Sequence, residues 1–178
     1  DLPGENKAGY SDGQEVSALP LETCETMNRT WGYNIEDQNY KSTKTLIQLL
    51  VRAAGKNANL LMNIGPQPNG ELPAVAVQRM KEMGEWMTQY GETIYETRGG
   101  DVEPHSWGVS TRKGNRLFIH VLDCQDTSLY IPLKVKVKKA TQFVDGTSIA
   151  FSQDKEGVLL KFPKVPTETD YVVELLLK

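Results

Sequence analysis

The sequence predicts an α/β segment followed by an all-β antiparallel sandwich, and three observations carry that expectation. Up to about residue 97, short apolar runs alternate with amphipathic stretches in the order strand, helix, strand, helix, the grammar of parallel α/β construction. After Arg98-Gly99-Gly100 the helical periods stop, and short strands follow one another across turn signals over roughly 75 residues, the spacing of a sandwich. The chain has 178 residues, 39% hydrophobic and 24% charged, which suits one or two compact domains. The expected division is therefore residues 1–97 and 98–178.

Residues 1 to 18, rich in Gly, Ser, Asp and Glu without a sustained period, read as loop. Leu19 to Met27, within "LPLETCETMN", reads as a short strand, and "NRTWGYNIEDQNYKS" as a long polar connection with aromatic residues in it. A helix is expected from Ser42, which suits the N-cap, with Leu46, Leu49, Leu50 and Ala53 at i, i+3, i+4 and i+7. Gly55 with the polar Lys56-Asn57 after it forms a C-terminal stop. "NLLMNIGP", closed by Gly65 and Pro66, has the continuous apolar pattern of a strand buried on both faces. Turn-rich "QPNGELPA" leads to a second helix over about Pro73 to Tyr90. Pro73 suits its first turn, Val77, Met80, Gly84 and Met87 fall on one stripe, and Gly91 ends it.

In the second half "WGVSTRKGNRLFIHVL" reads as a hairpin around Lys113-Gly114-Asn115. "SLYIPL" and "KVKVKK" follow, "QFVDGTSIAF" turns at Asp145-Gly146, and "GVLLKF" and "YVVELLL" complete the set. In "KVKVKK", Lys134 to Lys139, the lysines alternate with valines and read as the wet face of a half-buried strand.

Charge and composition exclude several classes of function. A formal net charge of -3 and lysines that form no long basic run leave no electrostatic footprint for nucleic acid. No stretch approaches the ~18 apolar residues of a membrane span, and "DLPGENKAGY" lacks the blocks of a secretory signal, so a soluble chain is expected. Cys24 and Cys124 have no CxxC spacing, which indicates neither a zinc site nor a disulfide framework.

Catalytic motifs are few. The sequence holds no Gly-rich phosphate loop, no G-x-S-x-G elbow and no H-E-x-x-H. The two histidines are His105 and His120, and His120 alternates with Phe118 and Leu122 as a structural residue on a strand face does. Glu22 stands out, because Leu19, Pro20, Leu21 and Cys24 flank it, and desolvation raises a carboxyl pKa toward the value a general acid needs. The same pattern also fits a charged residue that opens a strand and stays wet.

Taken in order, "LETCETMNRTWGYN", "LVRAAGKNANLLMNIGPQPNGELP" and "GEWMTQYGETIYET" resemble the final third of the α-L-fucosidases of glycoside hydrolase family 29. The resemblance runs from about Gly9 to Thr97, and the strand-rich remainder is similar in position and size to the family's C-terminal β-sandwich. It implies the last two βα units of a (β/α)8 barrel, which takes ~250 residues when complete, followed by the sandwich. It also implies a retaining exo-glycosidase. In that family an aspartate on an earlier barrel strand attacks the anomeric carbon of L-fucose, and a second carboxylate protonates the departing oxygen. Many members carry this acid/base as the glutamate of a W-E-x-C segment shortly before "WGY". The matching residue here is Glu22, with Leu21 where the tryptophan often sits. The family's nucleophile lies several tens of residues earlier and is expected outside this chain. Asp12, in "YSDG", echoes its Asp-Gly but stands too close to Glu22. The resemblance thus implies a chain inactive alone, with the N-terminal part of the same catalytic domain as partner and fucosylated glycans as substrate. No metal or organic cofactor is implied, and family members are commonly periplasmic, secreted or lysosomal.

Trp31 and Tyr33 of "WGY" lie on the connection after the Glu22 strand, where an aromatic face packs either against a sugar or as a plug for its own loop. Asn63 and Gly65 end the next strand, and Gly65-Pro66 reads as a tight turn. The "NRT" sequon at Asn28 is expected to be unoccupied. The competing reading is a non-catalytic carbohydrate-binding or structural module. Trp107, Tyr130 and Tyr171 form no closely spaced aromatic platform for it, which favours a packing role for the sandwich.

Overall fold

The computed structural model describes Val16 and residues 18–178, so Asp12 and its neighbours lie outside the described residues. Strands β1 (Leu21–Thr26) and β2 (Ala58–Asn63) pair in parallel, from Leu21 opposite Ala58 to Thr26 opposite Asn63. Helix α1 (Thr43–Gly55) connects them, and α2 (Ala74–Tyr90) follows β2 and ends in a 3₁₀ turn over Gly91–Thr93.

Helix α1 starts where the sequence expects. Ser42 is extended and its Oγ accepts from the Thr45 N–H at 3.1 Å, satisfying one of the donors that a helix start leaves orphaned. Its end also falls where expected, at Gly55 with Lys56-Asn57 after it, though the left-handed residue is Asn57, at φ 59°. Gly55 is required for space, because a Cβ there would lie 2.4 Å from Val109 Cβ.

Helix α2 buries Ala76, Met83 and Trp86, while Met80 of the expected stripe is 44% exposed. One residue of offset turns the helix by about 100°. Trp86 stacks on Tyr90 at 5.1 Å between ring centroids, and burying that aromatic area outweighs burying the methionine stripe. Strand β2 is likewise covered on one face only. Met62 packs with the helices, while Asn59 and Leu61 on the opposite face are exposed, Leu61 by 48%.

The second half holds two antiparallel sheets. One comprises β3 (Arg98–Gly99), β4 (Gly108–Lys113), β5 (Arg116–Val121), β7 (Val137–Gln142) and β10 (Tyr171–Leu177), in the order β3-β4-β5-β10-β7. The other comprises β6 (Ser128–Ile131), β8 (Ala150–Gln153) and β9 (Val158–Lys161), in the order β6-β9-β8. Ile119, Val173 and Leu175 of the first sheet share a core with Ile131, Val158 and Leu160 of the second. Both expected turns form around left-handed glycines, Gly114 at φ 61° and Gly146 at φ 71°. The strand expected over "KVKVKK" starts only at Val137, and Lys138 and Lys139 are both exposed beside a register shift at Leu176/Leu177. A bulge of this kind breaks strict alternation.

A second core joins the halves, with Leu46, Ile47 and Val51 of α1 against Val109 and Leu122. Gln48 Nε2 donates to the carbonyls of Leu122 at 3.1 Å and Thr169 at 3.0 Å. His120 is structural here, as its period implied, and fully buried. Its Nδ1 lies 2.8 Å from Asp170 Oδ2 and its Nε2 3.1 Å from Thr111 Oγ1. The Thr111 hydroxyl donates to the Thr93 carbonyl at 2.6 Å. Cys124 is a free thiol whose Sγ lies 3.2 Å from the Asp126 carbonyl, and no described helix is long and apolar enough to cross a membrane.

Candidate functional site

In parallel α/β construction ligands bind beyond the carboxyl ends of the strands, which directs attention to Thr26, Asn63 and the loops after them. The register places Glu22, Cys24 and Thr26 on the same face as Asn59, Leu61 and Asn63, opposite the face that packs on the helices. Glu22 is exposed on that face as the second residue of β1. Four residues separate it from Thr26, about 13 Å at ~3.3 Å per residue. Glu25, which sequence reasoning passed over, stands next to the strand end. Its carboxylate accepts from the Thr26 N–H at 2.9 Å and pairs with Lys41 Nζ at 3.5 Å.

The loop after β1 is held by a dense polar network. Lys41 Nζ donates to the carbonyls of Thr26 at 2.6 Å and Asn28 at 3.1 Å, joining the two ends of the loop. Asp37, only 6% exposed, accepts on Oδ2 from the N–H groups of Arg29 at 2.9 Å and Thr30 at 3.0 Å, and on Oδ1 from that of Asn39 at 3.2 Å. Burial pushes this carboxyl's pKa up, but the donors of Arg29, Asn39 and Thr30 together outweigh it and hold the group below the ordinary aspartate value. Asn28, the sequon residue, is buried, and its Nδ2 donates to Thr30 Oγ1 at 3.4 Å. No run or spacing in the sequence marks Asp37, because its partners belong to an irregular loop.

Asn63 ends β2, and its Nδ2 donates to the Trp31 carbonyl at 2.7 Å and to Thr26 Oγ1 at 3.1 Å. Gly65 is not the tight turn that the sequence suggests. A Cβ there would meet the backbone of the Trp31 loop, 2.5 Å from Tyr33 N and 2.6 Å from Gly32 C. The turn lies further on, where the Gly70 N–H donates to the Gln67 carbonyl at 2.8 Å and Gly70 takes φ 86°. Trp31 keeps 41% of its surface exposed, and Tyr33 is partly buried. The site thus combines an exposed aromatic residue on a rigid loop at the strand ends with a carboxylate lower on the same sheet. Among the described residues no group of three His, Cys, Asp or Glu side chains is placed to hold a metal ion.

Comparison with known proteins places this geometry among relatives. Residues 5–92 match the family model for alpha-L-fucosidase. Plasma alpha-L-fucosidase of Rattus norvegicus is 37% identical over 97 residues, 50% of this chain and 21% of that protein. The alpha-L-fucosidase of Dictyostelium discoideum is 27% identical over 179 residues, 92% of this chain and 38% of that protein. Alpha-L-fucosidase isoenzyme 1 from Paenibacillus thiaminolyticus superimposes with a TM-score of 0.81 at 32% identity, over 90% of this chain and 40% of its own. A GH29 alpha-L-fucosidase from Bacteroides thetaiotaomicron, solved as a trapped covalent intermediate, shares the fold, with a TM-score of 0.82 at 24% identity over 100% of this chain and 41% of its own. The chain therefore spans less than half the length of each of these relatives.

Proposed function

Residues 5–92 of this chain belong to the α-L-fucosidase family, and on that premise we propose that it is the C-terminal portion of a retaining α-L-fucosidase. The intact protein hydrolyses terminal α-L-fucose from glycans by double displacement. Residues 1–97 contribute the last two βα units of the (β/α)8 catalytic barrel, and residues 98–178 form the C-terminal β-sandwich. The observation that carries the reading is the family match across both parallel strands and their helices.

Two features support an incomplete barrel. The face of β1 and β2 that a closed barrel would turn to its lumen carries the exposed Leu61. Beside β2, a cavity of about 750 Å³ is lined by Leu50, Met62, Met80, Met83 and Met87. A free strand edge flanked by apolar side chains is a liability that a further strand removes. Met80 of α2, 44% exposed, and the half-buried Met87 line that gap and would cover the strand that fills it.

A retaining hydrolase needs an ionised nucleophile and a protonated acid about 5 to 5.5 Å apart. The nucleophile comes from the N-terminal part of the barrel, so the chain alone is inactive. The acid/base is assigned to Glu22 on its motif. That role requires fucose to reach deep along the strands, since Glu22 stands about 13 Å below the strand end. The intact protein should release 4-nitrophenol from the aryl α-L-fucoside. Glu22→Ala should slow turnover of substrates with poor leaving groups by about 10² or more, with azide restoring it. Unchanged activity in Glu22→Ala would move the acid/base to another carboxylate. An inactive intact protein refutes the fucosidase reading itself.

A further inference from the structure

Resting on that reading, we propose that Asn63 is the positioning residue for Trp31, fixing its indole at the carboxyl ends of β1 and β2 as a wall against which the sugar's apolar face packs. The side-chain amide of Asn63 has two hydrogens, and both are committed, one to the Trp31 carbonyl at 2.7 Å and one to Thr26 Oγ1 at 3.1 Å. Since Thr26 Oγ1 accepts from Asn63, its own hydrogen is left for the Thr30 carbonyl at 3.1 Å or Asn28 Oδ1 at 3.2 Å. One side chain at the end of β2 thereby controls Trp31 directly and Thr30 through Thr26.

Two further contacts make the placement rigid. Gly65 lies so close under Gly32 and Tyr33 that no Cβ fits between the two segments. Asp37 ties down the backbone at Arg29, Thr30 and Asn39 on the other side. The backbone of Trp31 is therefore clamped while its indole keeps 41% of its surface exposed. A locked backbone bearing an open aromatic face is a preorganised contact, which costs little ordering when a ligand arrives.

Asn63→Asp is the sharpest test, since it keeps the shape and replaces both N–H donors by acceptors facing the Trp31 carbonyl. In the intact protein, KM for the aryl α-L-fucoside should rise about tenfold with kcat little changed, the pattern of lost uniform binding. Asn63→Ala, which removes the donors without adding repulsion, should show a smaller rise. Independently of substrate, 5-fluorotryptophan labelling should give one narrow 19F resonance for Trp31, assigned through Trp31→Phe. That resonance should shift or broaden in both Asn63 variants while those of Trp86 and Trp107 stay in place. An unmoved Trp31 resonance in a folded variant, or a moved resonance with unchanged KM, overturns the proposal. A wild-type protein without fucosidase activity sinks the underlying reading instead, and the fluorine spectra still decide whether Asn63 sets the position of Trp31.

Discussion

The junction between α1 and β4 offers a prediction in which one substitution should relieve the cost of another. Gly55 is buried against Val109, and a Cβ added to it would sit 2.4 Å from Val109 Cβ and 2.5 Å from Val109 Cγ2. Gly55→Ala gains at most about 1 kcal/mol of helix propensity. It loses about 1–3 kcal/mol to overpacking, because Val109 is fully buried and has nowhere to move. The net expectation is a destabilisation of up to about 2 kcal/mol. Val109→Ala removes the two γ-methyl groups that crowd Gly55 but keeps the Cβ, and costs about 1.6 kcal/mol or more from the lost methyl groups. In that background Gly55→Ala should cost less than in the wild type, since the Cγ1 and Cγ2 contacts are gone and the void they leave gives the remaining Cβ contact room to relax. Urea unfolding of the wild type, both single variants and the double variant reads the four free energies as a cycle. A coupling below about 0.5 kcal/mol, or a Gly55→Ala variant more stable than wild type, would refute the reasoning.

Two further predictions concern buried polar groups. The Asp37 carboxyl is held below its ordinary value of about 3.9, so its stabilising effect is complete above that pH and lost as pH falls through the lower folded value. Trp31 fluorescence in an acid titration should report loosening of the loop below about pH 4, and Asp37→Asn should abolish that transition. At the other junction, Asp170→Ala removes the partner of a fully buried histidine and should cost about 3–5 kcal/mol in guanidinium unfolding. The double replacement His120→Leu with Asp170→Leu should cost less than Asp170→Ala alone, and a larger cost would show that the pair itself is strongly stabilising.

Much of the candidate site was legible in short motifs, but its geometry was not. "WGY" and "NIGP" marked the two loops correctly, yet the bond from Asn63 to Trp31 spans 32 residues and exists only because β1 and β2 pair in register. Glu22 read as a carboxylate open to desolvation or as a charged residue that stays wet, and the structure leaves it exposed, because the helices cover the opposite face of β1. Gly65 and Gly55 both read as chain punctuation and proved to be points of close approach, since a glycine's sequence neighbours do not reveal which distant backbone or side chain lies against it.

The sequence by itself determined what depends on residues a few positions apart. The Ser42 cap, the course of both helices, the hairpin at Gly114 and the change from alternating to all-strand order follow from local hydrogen bonding, steric freedom and apolar period. Tertiary structure alone decided which face of α2 is buried, which face of β2 stays open, and that His120 meets Thr111 and Asp170. Those outcomes are settled by partners far along the chain, because burial rewards whichever packing removes the most apolar surface from water, and a short segment does not contain its own partner.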